Sequence, residues 1–271
     1  MKFLRPCLKN YFGLLLWVLI GCGQVQAQVQ VQDDAPITPY RPSVSSPAQL
    51  PAVGQLELEM GWLRVKQSVE SDTRRDSAPY QFKLALNKDW GILLGGEAQV
   101  RYQSLGAASE RGFGDTTLVL KHAVQLDEVS AWGFELGNKF STAKTSIGSG
   151  KDDVSLNGIY SRDIGDWHLD LNANAVRLGL QEAGLGRVQK GLSASFSHNL
   201  SEHWAMNAEL AATQRHGSNS TAQLLLAAVY SPHKRLSIDV GLIKGLKRGL
   251  NEASPDWALF SGVVFPVGRI F

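Results

Sequence analysis

The chain has 271 residues, of which 44% are hydrophobic and 19% are charged, and its mean hydropathy is -0.12. These averages exclude a bundle of membrane-spanning helices, each of which needs about 20 consecutive apolar residues. The 27 Lys and Arg residues stand against 25 Asp and Glu, for a formal charge of +2, which excludes the strongly basic balance of a dedicated nucleic-acid binder.

Residues 1–27 have the pattern of a secretory signal peptide. Lys2, Arg5 and Lys9 precede an apolar run over 11–21 that is too short to span a bilayer as a helix. We favour cleavage after Ala27, because a small-residue site at 25–27 is followed by a polar Gln/Val stretch. The sequence therefore predicts an exported protein.

The alternative cleavage site lies at 19–22, which resembles a bacterial lipobox whose Cys22 would be acylated. Cys7 and Cys22 are the two cysteines of the chain. With cleavage after Ala27, the mature chain has no thiol for a disulfide, a metal site or a nucleophile.

Residues 28–52 are rich in proline, serine and glutamine and show no hydrophobic period. We interpret them as an N-terminal extension rather than a domain, since this composition is typical of loops and linkers.

The pattern from Val53 to Phe271 has a period of two. Apolar Leu56 and Leu58 alternate with Glu57 and Glu59, as in a strand with one apolar face. Twelve such runs follow one another, around 56–62, 80–86, 90–103, 114–125, 131–141, 153–163, 167–178, 188–200, 204–214, 220–230, 236–245 and 256–267.

The connections between these runs alternate between short turns and longer loops rich in Gly, Ser and charge. An even strand number with short turns at one rim and long loops at the other is typical of outer-membrane proteins. The predicted fold is all-β: a transmembrane antiparallel up-and-down β-barrel over 53–271 with short periplasmic turns and longer extracellular loops. A soluble β-sandwich is the alternative, but it does not explain the alternation of loop lengths.

Aromatic residues stand at positions expected for membrane-interface girdles. One set begins or ends strands at the short turns: Trp90, Trp132, Tyr160, Trp167, Trp204 and Tyr230. Trp62, Tyr80, Tyr102, Phe140 and Trp257 are expected at the opposite interface.

The chain ends in Phe271, preceded by apolar residues at alternate positions 263, 265 and 267. This ending resembles the targeting signal read by the outer-membrane barrel insertion machinery, which is therefore an expected partner. Pro266 removes a ladder donor and Arg269 interrupts the alternation, so the last strand is expected to bulge or to end near Phe265.

If the apolar face of the barrel meets lipid, its alternates line the lumen. We expect this set to include Glu57, Glu59, Lys83, Glu97, Arg101, Asp115, Lys121, Glu135, Lys139, Asp170, Glu209 and Asp239. Two interpretations stay open: opposite charges pair and fill the barrel, or they line a narrow path that prefers cations or polar solutes.

Several cations alternate outward near the long-loop rim: Arg64, Lys66, Lys190, Lys244, Lys247 and Arg248. They could face the phosphates of lipopolysaccharide among the outer-membrane lipids, or they could serve only the solubility of the loops.

We find no catalytic constellation, although barrels of this size include lipases and acyltransferases. None of the six histidines has an evident serine partner at matching depth. The glycines at 112 and 114 lack the context of a phosphate-binding loop, and ligand spacing for a metal is absent. We therefore expect no enzyme activity, cofactor or metal.

Three segments resemble the outer-membrane transporter family named after the meta-pathway of phenol degradation. They are the opening Arg41-Pro42 with 50–61, the Gly-Phe-Gly-Asp strand start at 112–121, and the loop into the last strand at 249–257. Ser43 stands where Asp is usual in the family, and the typical ending is missing. The resemblance spans roughly 41–265 and implies a barrel that passes or binds hydrophobic or aromatic compounds. It places Asp115 and Asp256 as loop anchors.

Overall fold

The computed structural model describes residues 35–68, 73–104, 106, 108–247 and 255–271. The predicted signal peptide (1–27), the first residues of the extension and Arg248 lie outside this part. In the part that is described, no helix is long and apolar enough to cross a membrane.

The described chain forms one antiparallel sheet of thirteen strands. Their bounds are β1 Gln55–Ser68, β2 Thr73–Ala85, β3 Trp90–Gln103, β4 Glu110–Gly112, β5 Thr116–Gln125, β6 Ser130–Phe140, β7 Asp153–Ile164, β8 Trp167–Arg177, β9 Val188–Asn199, β10 Trp204–Arg215, β11 Thr221–His233, β12 Leu236–Lys247 and β13 Trp257–Arg269.

The sheet closes on itself. Each long strand pairs with its neighbours along the chain, β3 pairs with β5, and β13 pairs with β1. The short strand β4 pairs with the end of β3 beyond β5, so β4 and β5 together occupy one position in the wall. The predicted closed barrel of twelve antiparallel strands is confirmed.

Most strand ends match the predicted pattern, and β3, β8 and β10 begin at Trp90, Trp167 and Trp204. β2 is an exception, because it begins at Thr73 inside a segment that the pattern assigns to a loop. Residues 73–79 carry charges and a proline instead of alternating apolar residues. They are held in the sheet by pairing with β1, including Arg64 opposite Asp76.

The wall is apolar outside and polar inside. Large apolar side chains are exposed on the outer face of successive strands, among them Leu94, Leu120, Leu156, Leu192, Leu210 and Val240. Charged and polar side chains alternate with them and are buried, among them Glu57, Lys83, Lys121, Glu209 and Asp239. This inversion of the usual soluble pattern suits an exterior in contact with hydrocarbon.

The interface aromatics other than Tyr102 alternate onto the outer face. Trp132, Trp167 and Trp204 are exposed near the short-turn rim, while Trp62 is exposed toward the long loops. Trp90 lies against His122 with the two ring centroids 4.5 Å apart, and Trp167 stacks on His198 at the same separation. Tyr160, Tyr230 and Trp257 have the same outward parity in their strands.

The short turns are closed by side-chain caps. Between β5 and β6, the Asp127 carboxylate accepts hydrogen bonds from the Ser130 hydroxyl and from the backbone N–H groups of Val129 and Ser130. These bonds, that from the Ser130 side chain first, hold the pKa of the Asp127 carboxyl below its usual range.

A bulge in β3 exchanges the inward and outward positions of the residues that follow it. Pro79 lies opposite Glu97, but the next paired residue of β2, Ser77, lies opposite Val100. Both Ser77 and Val100 are buried on the inner face. Arg101 is therefore turned outward, where its side chain is exposed, and its predicted place in the lumen is wrong. Tyr102, the next residue, is turned inward opposite Arg75, so its predicted place at the membrane interface is also wrong.

The last strand bulges and does not end near Phe265. Leu56 pairs with Gly268 and Glu57 with Pro266, so one residue of β13 is left over between them. Beyond the bulge the chain continues to Phe271, and the N–H of Ile270 donates to the carbonyl of Gly54 at 2.8 Å. Gly54 has φ +77°, and a Cβ there would lie 2.3 Å from the carbonyl oxygen of Phe271.

Candidate functional site: a barrel lumen occupied by the N-terminal extension

Residues 35–52, which we call the luminal segment, lie inside the barrel. Their hydrogen bonds reach β1 at Glu57, β6 at Glu135, β10 at Glu209 and β12 at Asp239. A single segment can contact these distant parts of a closed wall only from within. The extension predicted as an irregular linker is thus the principal occupant of the lumen.

The first anchor is a buried ion cluster on β1 and β2. Lys83 Nζ lies 3.0 Å from Glu57 and 2.6 Å from Glu59, and the exposed fraction of all three side chains is at most 5%. The segment completes the cluster. Thr38 N–H donates to both oxygens of Glu57, Tyr40 N–H donates to Glu59 at 2.7 Å, and Lys83 donates to the Thr38 carbonyl.

The second anchor lies on β5 and β6. Lys121 Nζ lies 2.9 Å from Glu135 and donates to the Ser46 hydroxyl at 2.7 Å, while Ser46 donates to Glu135. The Tyr40 ring links this anchor to the first. Its centroid lies 3.9 Å from the Lys121 ammonium and 4.2 Å from that of Lys83, within cation–π range of both.

The third anchor is formed by carboxylates of β10 and β12. Glu209 accepts hydrogen bonds from the Ser43 hydroxyl and from the backbone N–H groups of Val44 at 2.9 Å and Ser45 at 3.1 Å. Asp239 binds the Arg41 guanidinium with two bonds, from Nε at 2.9 Å and from Nη2 at 3.0 Å.

Further polar contacts fix the later part of the segment against β7 and β8. Asn172 accepts from Ser46 N–H at 2.9 Å and donates to its carbonyl at 2.9 Å. Ser161 accepts from Ala48 N–H at 2.7 Å and donates to Asp170.

These contacts have a common physical cause. The prolines at 36, 39, 42, 47 and 51 prevent the segment from forming a helix or pairing as a strand. Its buried N–H groups must still find acceptors. The carboxylates and amides of the inner wall accept the hydrogen bonds of these N–H groups. The polar groups of the wall and those of the segment therefore pair with one another.

Three of the predicted lumen residues form ion pairs that do not involve the luminal segment: Glu97, Asp115 and Lys139. Glu97 pairs with Arg75. Near the long loops, Lys139 lies 2.8 Å from Asp153 and 3.4 Å from Asp115, and Asp115 also accepts from the N–H of Ala143 in the loop after β6. This last contact fits a loop anchor.

A cavity of about 340 Å³ remains between the luminal segment and one side of the wall. Tyr40 and Ser46 of the segment line it together with Gln81, Leu93 and Val119 of β2, β3 and β5. The lumen is therefore narrowed on this side and not filled.

The contacts of His168 do not resemble a hydrolase site. His168 lies 2.6 Å from Asp163 and 3.2 Å from Asp170. Ser161 shares Asp170 with it, but the Ser161 hydroxyl donates to the carboxylate and not to the imidazole. This order differs from the serine–histidine–carboxylate chain of an acyl-transfer enzyme.

The sequence signals identify which wall residues are polar but not where the segment goes. Its anchors are separated from it by 19 residues at Glu57 and by 198 at Asp239. One signal was available: the inner face carries more carboxylates than the wall's own lysines can neutralise, so additional donors were required.

Comparison of the sequence finds no matching family model and no matching curated protein. Comparison of the structure finds outer-membrane barrels. An outer membrane channel from Pseudomonas putida F1 has a TM-score of 0.64 at 16% identity, covering 81% of this chain and 97% of that one. The KdgM porin has a TM-score of 0.51 at 9% identity, covering 76% and 98%.

The beta domain of the Bordetella autotransporter BrkA has a TM-score of 0.50 at 14% identity, covering 79% of this chain and 100% of that one. At these identities the likeness concerns the fold. The family named after the meta-pathway of phenol degradation stays a prediction, and the chain has the fold of a closed outer-membrane-type β-barrel.

Proposed function

We propose that the chain is a passive transporter or narrow channel of the bacterial outer membrane and not an enzyme. One observation carries this proposal: a closed wall with an apolar exterior surrounds a charged interior that retains a cavity of about 340 Å³. The likeness in fold to the outer membrane channel from Pseudomonas putida F1 supports it. Hydrophobic or aromatic small molecules, the solutes implied by the family resemblance, are the proposed cargo.

A second function is favoured by the luminal segment itself. Four sets of polar contacts join this segment to the inner wall. A barrel of this kind could serve as a structural or surface-interaction protein with a filled lumen. The two functions differ in whether the segment can move away from the wall far enough for solutes to pass.

The distinguishing experiment is conductance in planar bilayers after refolding. The double variant E209Q/D239N weakens the third anchor, because a neutral amide accepts a weaker hydrogen bond from Arg41 and the segment's N–H groups. We expect small, rare openings from the wild type and larger, more frequent ones from the variant. The matched control D166N/E202Q removes two exposed carboxylates of the short turns and should behave as the wild type.

Ion or solute flux in none of these proteins would reject the channel and support the filled barrel. Where flux is found, uptake of a neutral monoaromatic compound into liposomes is compared with that of a sugar of similar mass. Faster entry of the sugar through E209Q/D239N would contradict the proposed cargo.

A further inference from the structure

A cluster of arginines crosses the outer face of the wall near the long loops. Arg64 of β1 lies opposite Asp76 of β2, Asp76 opposite Arg101 of β3, and Arg101 opposite Arg111 of β4. Arg74 lies two residues from Asp76 on the same face. Together these side chains line a cavity of about 300 Å³.

The cluster has a large excess of positive charge. Four arginines share this cavity with a single carboxylate, Asp76, which already pairs with Arg64 at 2.6 Å and with Arg74 at 2.7 Å. Within the described part of the chain, no side-chain hydrogen bond or ion pair engages Arg101 or Arg111, and the buried Nε of Arg74 has no acceptor.

Two like charges directly opposite each other on neighbouring strands destabilise a sheet. The bulge in β3 creates this arrangement, because it turns Arg101 outward toward Arg111 instead of into the lumen. Bulges often serve to re-aim a side chain. An anion between the guanidinium groups would remove the repulsion and supply the missing acceptors.

The position of the cluster defines the kind of anion. On the same face of β1, the exposed residues just before Arg64 are Met60 and Trp62, and the Arg64 guanidinium lies 4.9 Å from the Trp62 ring centroid. The rise along a strand puts the Cα of Arg64 roughly 7 Å beyond that of Trp62. At this level of a membrane, lipid headgroups lie next to the interfacial tryptophans. A ligand here carries its charge in a headgroup and its acyl chains against the apolar wall.

We propose that Arg64, Arg74, Arg101 and Arg111 form a binding site for the phosphate of an acylated, phosphorylated glycolipid of the outer leaflet. Guanidinium groups bind phosphate oxygens in pairs of parallel hydrogen bonds, and arginine is favoured over lysine for that reason. Four arginines in one cavity fit a phosphate group with its full charge. The site rests on the proposed outer-membrane location but not on the passage of any solute.

The test uses the refolded barrel in detergent, with diphosphorylated lipid A as the probe and native mass spectrometry as the measurement. The variant R101Q/R111Q should bind lipid A about tenfold or more weakly, since it removes two charge-assisted contacts. The control R177Q/R187Q removes two exposed arginines from the long loop between β8 and β9 and its flanks and should bind as the wild type does.

The site would be overturned by no lipid A on the wild type, by equal loss in both variants, by equal binding of dephosphorylated lipid A, or by displacement of lipid A by inorganic phosphate alone. Conductance of R101Q/R111Q separates this proposal from the channel. Lost lipid binding with unchanged conductance supports the site and leaves the channel standing, whereas unchanged lipid binding rejects the site whatever the conductance.

Discussion

Lys83 is the cation of a buried ion cluster that contains two carboxylates. Its ammonium lies between Glu57 and Glu59 and has no exposed surface. Removing one partner of a buried ion cluster leaves uncompensated charge, which costs more than the pair contributes by itself. The same ammonium donates to the carbonyl of Thr38, so this residue couples the stability of the wall to the position of the luminal segment.

The variant K83M should therefore lower the free energy of unfolding by about 3 kcal/mol. Urea unfolding of the refolded barrel, followed by tryptophan fluorescence, measures the change. K88M is the control, because Lys88 lies in a short turn with 87% of its side chain exposed and with its partner Asp89 at 3.8 Å. That variant should change stability by less than about 0.5 kcal/mol, and equal effects of the two substitutions would contradict the role of Lys83.

At the level of elements, the closure of the barrel depends on a tight approach between the start of β1 and the end of the chain. Gly54 has φ +77°, a left-handed conformation that a side chain disfavours. It also lies so close to the Phe271 carbonyl that a Cβ would stand 2.3 Å from the oxygen. Both observations require glycine at this position.

G54A should destabilise the refolded barrel by about 2 kcal/mol through backbone strain and displacement of the C-terminus. Heat-modifiable migration in gels and urea unfolding report on this closure. Gly268 is the matched control, since a Cβ there meets no atom of the described residues within 4 Å, and G268A should fold as the wild type does. A stable G54A with an unchanged C-terminal strand would show that the close approach is not required.

The strands were predictable because each obeys a local rule. Alternation on opposite faces assigns Glu57 and Glu209 inward and Leu210 outward from sequence alone. The bulge at Ala98 and Gln99 breaks the rule, although neither residue is a glycine or a proline, so Arg101 was assigned to the wrong face. Such a shift depends on the pairing of β2 with β3, which no single strand encodes.

For the whole molecule, the decisive feature is a segment whose partners lie far away along the chain. Residues 35–52 have the composition of a linker, and only the closed wall brings Glu209 and Asp239 within reach of Ser43 and Arg41. The segment forms no helix or strand, as its composition suggests. It could not predict the location, since the acceptors belong to the assembled barrel.

A reversible crosslink between the segment and the wall should decide whether passage requires the segment to move. The Ser45 and Ser193 hydroxyl oxygens lie 2.7 Å apart, close enough for cysteines at both positions to form a disulfide. A barrel refolded from Gln28 onward contains no cysteine of its own, so S45C/S193C introduces its only thiols. In the E209Q/D239N background, oxidation should abolish the larger openings and a reductant should restore them.

The control places the same crosslink within the wall. Thr213 of β10 and Thr221 of β11 are paired residues whose hydroxyl oxygens lie 2.6 Å apart and bond each other. Oxidised T213C/T221C in the same background should conduct as its reduced form does. If S45C/S193C, with its disulfide verified by mass, conducts equally in both states, solutes pass beside a fixed segment through the remaining cavity. Loss of conductance in the oxidised segment crosslink alone means that the luminal segment must leave its anchors for the barrel to open.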